Sequence, residues 1–199
     1  KDRCELVIVN DYPQQKLIYD HPQVTIYNLD STFPFIGGKE NYAIERCKGE
    51  LIAVWDDDDV ALSNHLSNIA KLWREDILHW STGIFYNETS ITKITGVGNS
   101  GIVYSKKAWE AIGKSPIENA GGDMTLVNKL HSLGGVVNAA LPKSEASWFY
   151  MWGGRGYHQS GQGTDVPGRP NIIERHSEHI ESLRKQGLIP TGEIDLIPK

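Results

Sequence analysis

The chain has 199 residues, 39% hydrophobic and 23% charged, with 20 Lys plus Arg against 25 Asp plus Glu, a formal net charge of −5. That length suits one domain with a core of its own, and the composition excludes disorder as the dominant state. No apolar run approaches the roughly 18 residues of a membrane span, and the mild acidity gives no general reason to expect nucleic-acid binding.

Residues 5–9 (ELVIV) are apolar and rich in β-branched side chains, and Asn10, Asp11, Tyr12 and Pro13 stop the run. They predict a buried strand feeding a loop. Residues 24–27 predict a second strand. Gly37 and Gly38 open a segment whose Ala43, Ile44 and Cys47 fit one helical face, closed by Gly49. Residues 51–55 predict another buried strand, with Trp55 in the core, running straight into Asp56, Asp57, Asp58 and Asp59. Leu66, Ile69, Ala70 and Trp73 then recur at helical spacing.

The middle of the chain is more β-like. Strands are predicted over 84–86, 91–95 and 101–104, after which Ser105 caps a short helix that Gly113 ends. Leu126, Leu130 and Leu133 mark a helix from near Asp123 to Gly134. Residues 136–137 and 147–151 predict further strands. Residues 153–168 hold six glycines and predict a loop. Pro170 suits the first turn of a last helix, with Ile173, Ile180 and Leu183 on one face until Gly187. Two cysteines, Cys4 and Cys47, lie in no CxxC or Cys/His zinc pattern and predict reduced thiols in a cytoplasmic protein. The N-terminus carries no basic-then-apolar pattern of a secretory signal.

Strands alternating with helices in the first half predict an α/β fold with parallel strands. Ligands bind such sheets at the carboxyl ends of strands, where Asn10, Asp11 and the acidic run fall. Four consecutive carboxylates repel one another unless solvent or a cation screens them. A solvated acidic loop would meet that need. So would a hard divalent cation, which prefers oxygen ligands.

Two families place such a run after a strand. Asp56 to Val60 fits the Asp-x-Asp-x-Thr/Val pattern of haloacid-dehalogenase-like phosphatases, with Asp56 as nucleophile and Asp58 as acid/base. That motif usually opens its fold, and the later Gly-Asp-x-x-x-Asp is absent, since Gly122-Asp123 leads to Val127. A calcium- or sugar-binding module is a non-enzymatic alternative.

The chain more closely resembles the inverting glycosyltransferases of family 2 type, with the GT-A fold. Residues 6–11 (LVIVND) are similar to the family's strand ending in Asp-Asp. The stretch from Gly38-Lys39-Glu40-Asn41 to Gly49-Glu50-Leu51-Ile52 resembles Gly-x-x-x-Ala-Arg-Asn to Gly-Glu-Tyr-Ile. Residues 51–62 resemble the stretch that carries the DxD motif. Residues 98–113 (GNSGIVYSKKAWEAIG) resemble the strand and helix on the acceptor side. Gly121-Gly122-Asp123 to Leu126 and Gly134 resembles Gly-Glu-Asp-x-x-Leu to Gly. The likeness runs from residue 5 to about 135 in order. There are three departures: the family's first strand has no counterpart, Asp11 is followed by Tyr12-Pro13 in place of Gly-Ser-Thr-Asp, and Gly122 replaces the Glu of the Glu-Asp motif.

The resemblance implies a Rossmann-like, mainly parallel mixed sheet flanked by helices, with a catalytic domain at 1–168 and a C-terminal helix and tail at 169–199. It implies sugar transfer from a nucleoside-diphosphate donor, a UDP-sugar, to a hydroxyl acceptor. Mn2+ or Mg2+ would sit on Asp58 and Asp56, with His158 from the late loop. Asp11, Lys39, Asp56, Asp57, Trp152 and Arg155 would bind the donor, and the glycine-rich loop would close over it. Trp148 and Trp152 could equally be packing aromatics, and His158 an exposed loop residue. His176 and His179, three apart, read as solvated helix positions. Asp123 would be the general base, a role its residue type shares with helix capping. Glu118 is the next acid in line.

Overall fold

Branched side chains at Val7, Ile8 and Val9 favour extended backbone, and Leu6–Asn10 forms the first strand of the computed structural model. The structure describes residues 4–56, 59–73, 78–80, 82–86, 91–95, 99–118, 122–138, 146–151, 181 and 185. In chain order the elements are β1 (Leu6–Asn10), β2 (Val24–Asn28), α1 (Ile36–Arg46), β3 (Leu51–Ala53), β4 (Val60–Ala61) and α2 (His65–Leu72). Then come β5 (Leu78–Trp80), β6 (Thr82–Tyr86), β7 (Ile91–Thr95), a 3-10 turn (Asn99–Gly101) and β8 (Ile102–Ser105). The series ends with α3 (Lys106–Ala111), α4 (Gly122–Ser132), β9 (Val136–Asn138) and β10 (Trp148–Met151). The chain divides into two compact units, Lys1–Ile52 with Tyr104–Gly135, and Ala53–Val103 with Val136–Lys199.

In the first unit β1 pairs in parallel with β2, from Leu6 opposite Val24 to Asn10 opposite Asn28. Parallel neighbours need a crossover, and residues 11–23 supply it without a helix. Helix α1 begins against the segment after α3. A side chain at Gly37 would place its Cβ 1.9 Å from the Pro116 carbonyl oxygen, so only glycine fits. Asn41 fixes the same approach further along. Its Nδ2 donates to the Ser115 carbonyl at 2.9 Å, and its Oδ1 accepts from Ser115 N at 2.8 Å and from Trp109 Nε1 at 3.2 Å. Arg46, in the last turn of α1, stacks over the Tyr42 ring at 3.2 Å.

Ser105 caps α3 as its sequence predicts, accepting from Ala108 N at 3.1 Å. Gly113 (φ +80°) and Lys114 (φ +74°) end that helix, and Gly134 (φ +82°) follows α4. Glycine takes that left-handed conformation without a Cβ penalty. Tyr104, Ala108, Trp109, Leu126, Val127, Leu130 and Ile44 form the unit's core. Burial, with the Glu40 charge second, holds the Tyr104 phenol protonated. Burial likewise raises the Cys47 thiol, with Glu5 adding to the effect.

In the second unit a four-stranded sheet runs in the order β4-β10-β6-β7. β10 is antiparallel to β4 and parallel to β6, and β7 is antiparallel to β6. In the same unit β5 and β9 pair in parallel, from Leu78 opposite Val136 to Trp80 opposite Asn138. The unit buries Leu62, Ile69, Ile102, Val103, Ala146 and Trp148.

The architecture is therefore α/β with a mixed sheet, as predicted, and several details differ. Trp55 is not core: β3 stops at Ala53, and the indole is 48% exposed. Leu66 is also exposed, because α2 turns His65 and Ile69 inward instead. The two-residue β4 and three-residue β5 carry too little pattern to predict. The predicted boundary at 168, the glycine-rich loop and most of the last helix lie outside the described residues. Glu181 and Lys185 are helical, one turn apart, with a charge contact of 4.0 Å. Among the described residues no helix is long and apolar enough to cross a membrane.

Candidate active site

Two clusters of predicted site residues fall among the described residues, one in each unit. The first lies at the carboxyl end of β1. Asn10 and Asn28 end their strands in register and hydrogen-bond to each other, Nδ2 of Asn10 donating to Oδ1 of Asn28 at 2.8 Å. Asn28 then pairs with Leu17 as a strand neighbour would. Its Oδ1 accepts from Leu17 N at 2.8 Å, and its Nδ2 donates to Leu17 O at 2.9 Å. Asn10 Nδ2 also donates to Gln15 O at 2.7 Å. These amides replace the crossover helix as the organisers of residues 11–17, since buried polar groups must find partners.

Asp11 follows directly. Its carboxylate accepts from Phe33 N at 3.0 Å and from Lys39 Nζ at 3.2 Å, and its carbonyl accepts from Thr32 Oγ1 at 2.8 Å. The structure thus brings together Asp11 and Lys39, two of the predicted donor-binding residues. The Asp11 side chain is largely buried and Lys39 partly exposed, so the ammonium keeps access to solvent beside a fixed anion.

Asp123 lies in the first turn of α4, one residue inside the helix, and is exposed. A capping residue stands outside the helix with non-helical backbone, so Asp123 is not the N-cap. Its carboxylate is left facing solvent. Glu118 is committed locally, accepting from Thr125 Oγ1 at 3.0 Å. A Cβ at Gly122 would sit 3.7 Å from the Pro116 carbonyl oxygen, an ordinary contact, so packing does not demand glycine where the family pattern has Glu.

The second cluster is the acidic run beyond β3. It turns back at once: Asp59 N donates to Asp56 O at 3.2 Å, and Trp55 Nε1 donates to Asp59 O at 3.4 Å. Asp56 N donates to Ser100 Oγ at 3.0 Å. Behind the turn, Trp55 meets the His65 ring edge-on at 6.4 Å. His65 Nδ1 lies 3.0 Å from Ser147 Oγ, and burial pulls the imidazole down to about 4, so it is neutral at pH 7. Asp59 is buried and Asp56 partly so.

Asp57, Asp58, Trp152, Arg155 and His158 lie outside the described residues. Among the described residues no group of three or more His, Cys, Asp and Glu gathers as a metal site. Sequence patterns did not single out Asn28, Ser100 or His65. The turn-forming Gly98-Asn99-Ser100-Gly101 is the one local signal for Ser100.

The sequence model of the family described as Glycosyl transferase family 2 matches residues 1–120. No curated protein matches the chain. Among solved structures, the chain is similar to S. aureus TarS 1-349 in complex with UDP-GlcNAc, at 14% identity and a TM-score of 0.59. The match covers 82% of this chain and 53% of that one. TarS 1-349 in complex with UDP aligns at 14% identity and a TM-score of 0.55, over 75% of this chain and 51% of that one. The chain spans about half the length of these structures, and the likeness establishes a shared fold.

Proposed function

The chain belongs to glycosyl transferase family 2, and from that premise we propose that it moves a sugar from a nucleoside diphosphate to an acceptor hydroxyl with inversion. The observation that carries this reading is the acidic turn at the end of β3, inside the matched residues and joined to a neighbouring segment through Asp56 N. A UDP-sugar is the donor we favour, because the similar structures hold UDP-GlcNAc and UDP. The phosphatase alternative, with Asp56 as nucleophile, gives way to the family match.

The run's donor atoms are carboxylate oxygens, which suit a hard divalent cation. Asp56 and Asp58, with His158, would hold Mn2+ or Mg2+, and the ion would neutralise charge that develops on the leaving diphosphate. The protein's own groups do the rest. Asp11 and Lys39 form a fixed ion pair at the β1 end, where Asp11 would receive the nucleoside and Lys39 the donor's negative charge. Arg155 would fork onto a phosphate, and Trp152 would flank the donor. Asp123 takes the proton from the acceptor hydroxyl. The acceptor oxygen bonds to the anomeric carbon as the bond from that carbon to the diphosphate oxygen breaks, and the diphosphate leaves with the electron pair.

Calorimetric titration of UDP and UDP-GlcNAc, with and without Mn2+, tests the reading. Binding of either nucleotide that requires Mn2+ is the expected result. Absence of binding under both conditions overturns it.

A further inference from the structure

We infer that Ser100 is a positioning residue for the acidic turn, its buried hydroxyl fixing the backbone at Asp56, where the run leaves the end of β3. The inference rests on the donor-binding reading above and names the residue that prepares that site.

Ser100 is 3% exposed, and its Oγ accepts from the backbone N–H of Asp56 at 3.0 Å, across 44 residues of sequence. Two residues earlier on that side, Val54 N donates to Ile102 O at 3.2 Å. Pairing between these segments thus passes from backbone to side chain at the first carboxylate. There the chain must stop running as a strand and turn, and a hydroxyl reaches an N–H that a strand carbonyl would no longer meet. The turn then closes on itself through Asp59 N to Asp56 O.

Ser100 is itself held firmly. It occupies the middle of the 3-10 turn Asn99–Gly101, and a Cβ at Gly101 would lie 2.7 Å from the buried Trp148 ring. The Trp148 ring thus closes off the side of the turn next to the serine. Adjacent carboxylates push the run open, and a fixed peptide at its entrance resists that push before any cation arrives. Ligands held in place beforehand bind more tightly, because less ordering is left for the binding step.

Titration of Mn2+ into the 199-residue chain with saturating UDP, followed by calorimetry, tests this. Ser100→Ala is expected to raise the Mn2+ concentration for half-maximal binding by about 10-fold, the scale of one hydrogen bond. At saturating Mn2+ its UDP affinity and its stoichiometry should return to the wild-type values. Ser100→Cys keeps the shape with a poor acceptor and should show the same shift, which decides the matter if the alanine variant does not fold. Ser100→Thr keeps the hydroxyl and should restore the wild-type midpoint. Ser105→Ala, which removes the α3 cap, should lower the melting temperature without moving that midpoint. A wild-type Mn2+ midpoint in Ser100→Ala or Ser100→Cys overturns the inference. So does a fall in stoichiometry that persists at all Mn2+ concentrations. A wild-type chain that binds no UDP at any Mn2+ concentration instead overturns the functional reading beneath it.

Discussion

The carboxyl ends of β1 and β3 both present acids, and they are built on different principles. At β1 two neutral asparagines in register do the organising, and the one carboxylate, Asp11, has an ammonium at 3.2 Å. At β3 four carboxylates follow one another in sequence, and backbone groups of the turn bond to Ser100, to Trp55 and to each other. The first end carries its counter-charge in its own sequence. At the second a serine fixes the backbone where the acids begin, and the proposed function sets a cation there. On the proposed function the first end would meet the nucleoside and the second the cation that accompanies the diphosphate.

That contrast fails most completely if the acidic turn needs no cation. Asp58→Asn is expected to abolish Mn2+-dependent UDP binding by calorimetry, and unchanged binding would remove the metal from the turn. Asp123→Asn should leave UDP binding intact while transfer from a UDP-sugar falls about 10²-fold or more, the scale of general-base loss. Near-wild-type turnover would send the search for the base to Glu118.

The support behind the turn has its own pH signature. His65 is held near about 4 against its ordinary 6.5, so between those values the unfolded chain binds the extra proton. Stability therefore falls as pH drops from 6.5 towards 4, by up to about 3 kcal/mol. Urea midpoints at pH 7 and 4.5 measure this, and His65→Gln should flatten the difference. At the β1 end no such slope is expected from neutral amides. There Asn28→Ala should cost about 1–2 kcal/mol at both pH values, because Leu17 and Asn10 lose their partner together. Lys39→Met is the smallest change. A partly exposed ion pair contributes less than about 1 kcal/mol to folding, so thermal denaturation should barely move, whereas UDP affinity should drop.

Local features were the most legible in the sequence. Ser105 and Gly113 bracket α3 because a cap and a left-handed terminator act within a few residues. The strand Ile91–Thr95 falls where alternation and branching placed it. The family likeness was readable too, because it depends on the order of short motifs. Trp55 misled, since its bulk suggested burial while its indole bridges the acidic turn with one face open. His65 and Ser100 carried no readable role, because their partners are 82 and 44 residues away in sequence. Asp123 could be read as cap or base, and the helix start, at Gly122, bears on the cap reading alone.

Glycine at position 37 and the amide of Asn41 have a consequence for synthesis. Both are complementary to a segment that the ribosome makes some seventy residues later, around Pro116 and Ser115. Until Tyr104–Gly135 has emerged, a nascent chain holding β1, β2 and α1 lacks the other half of its own unit. Asn41 then has only water for its hydrogen bonds, and the indole of Trp109 is not yet there to meet it. The Asp11 and Lys39 end consequently reaches its final stability only after the acidic turn has already been translated. A chain stalled near residue 103 would expose α1 along the face that the later segment covers, and that is where a holding chaperone would find it.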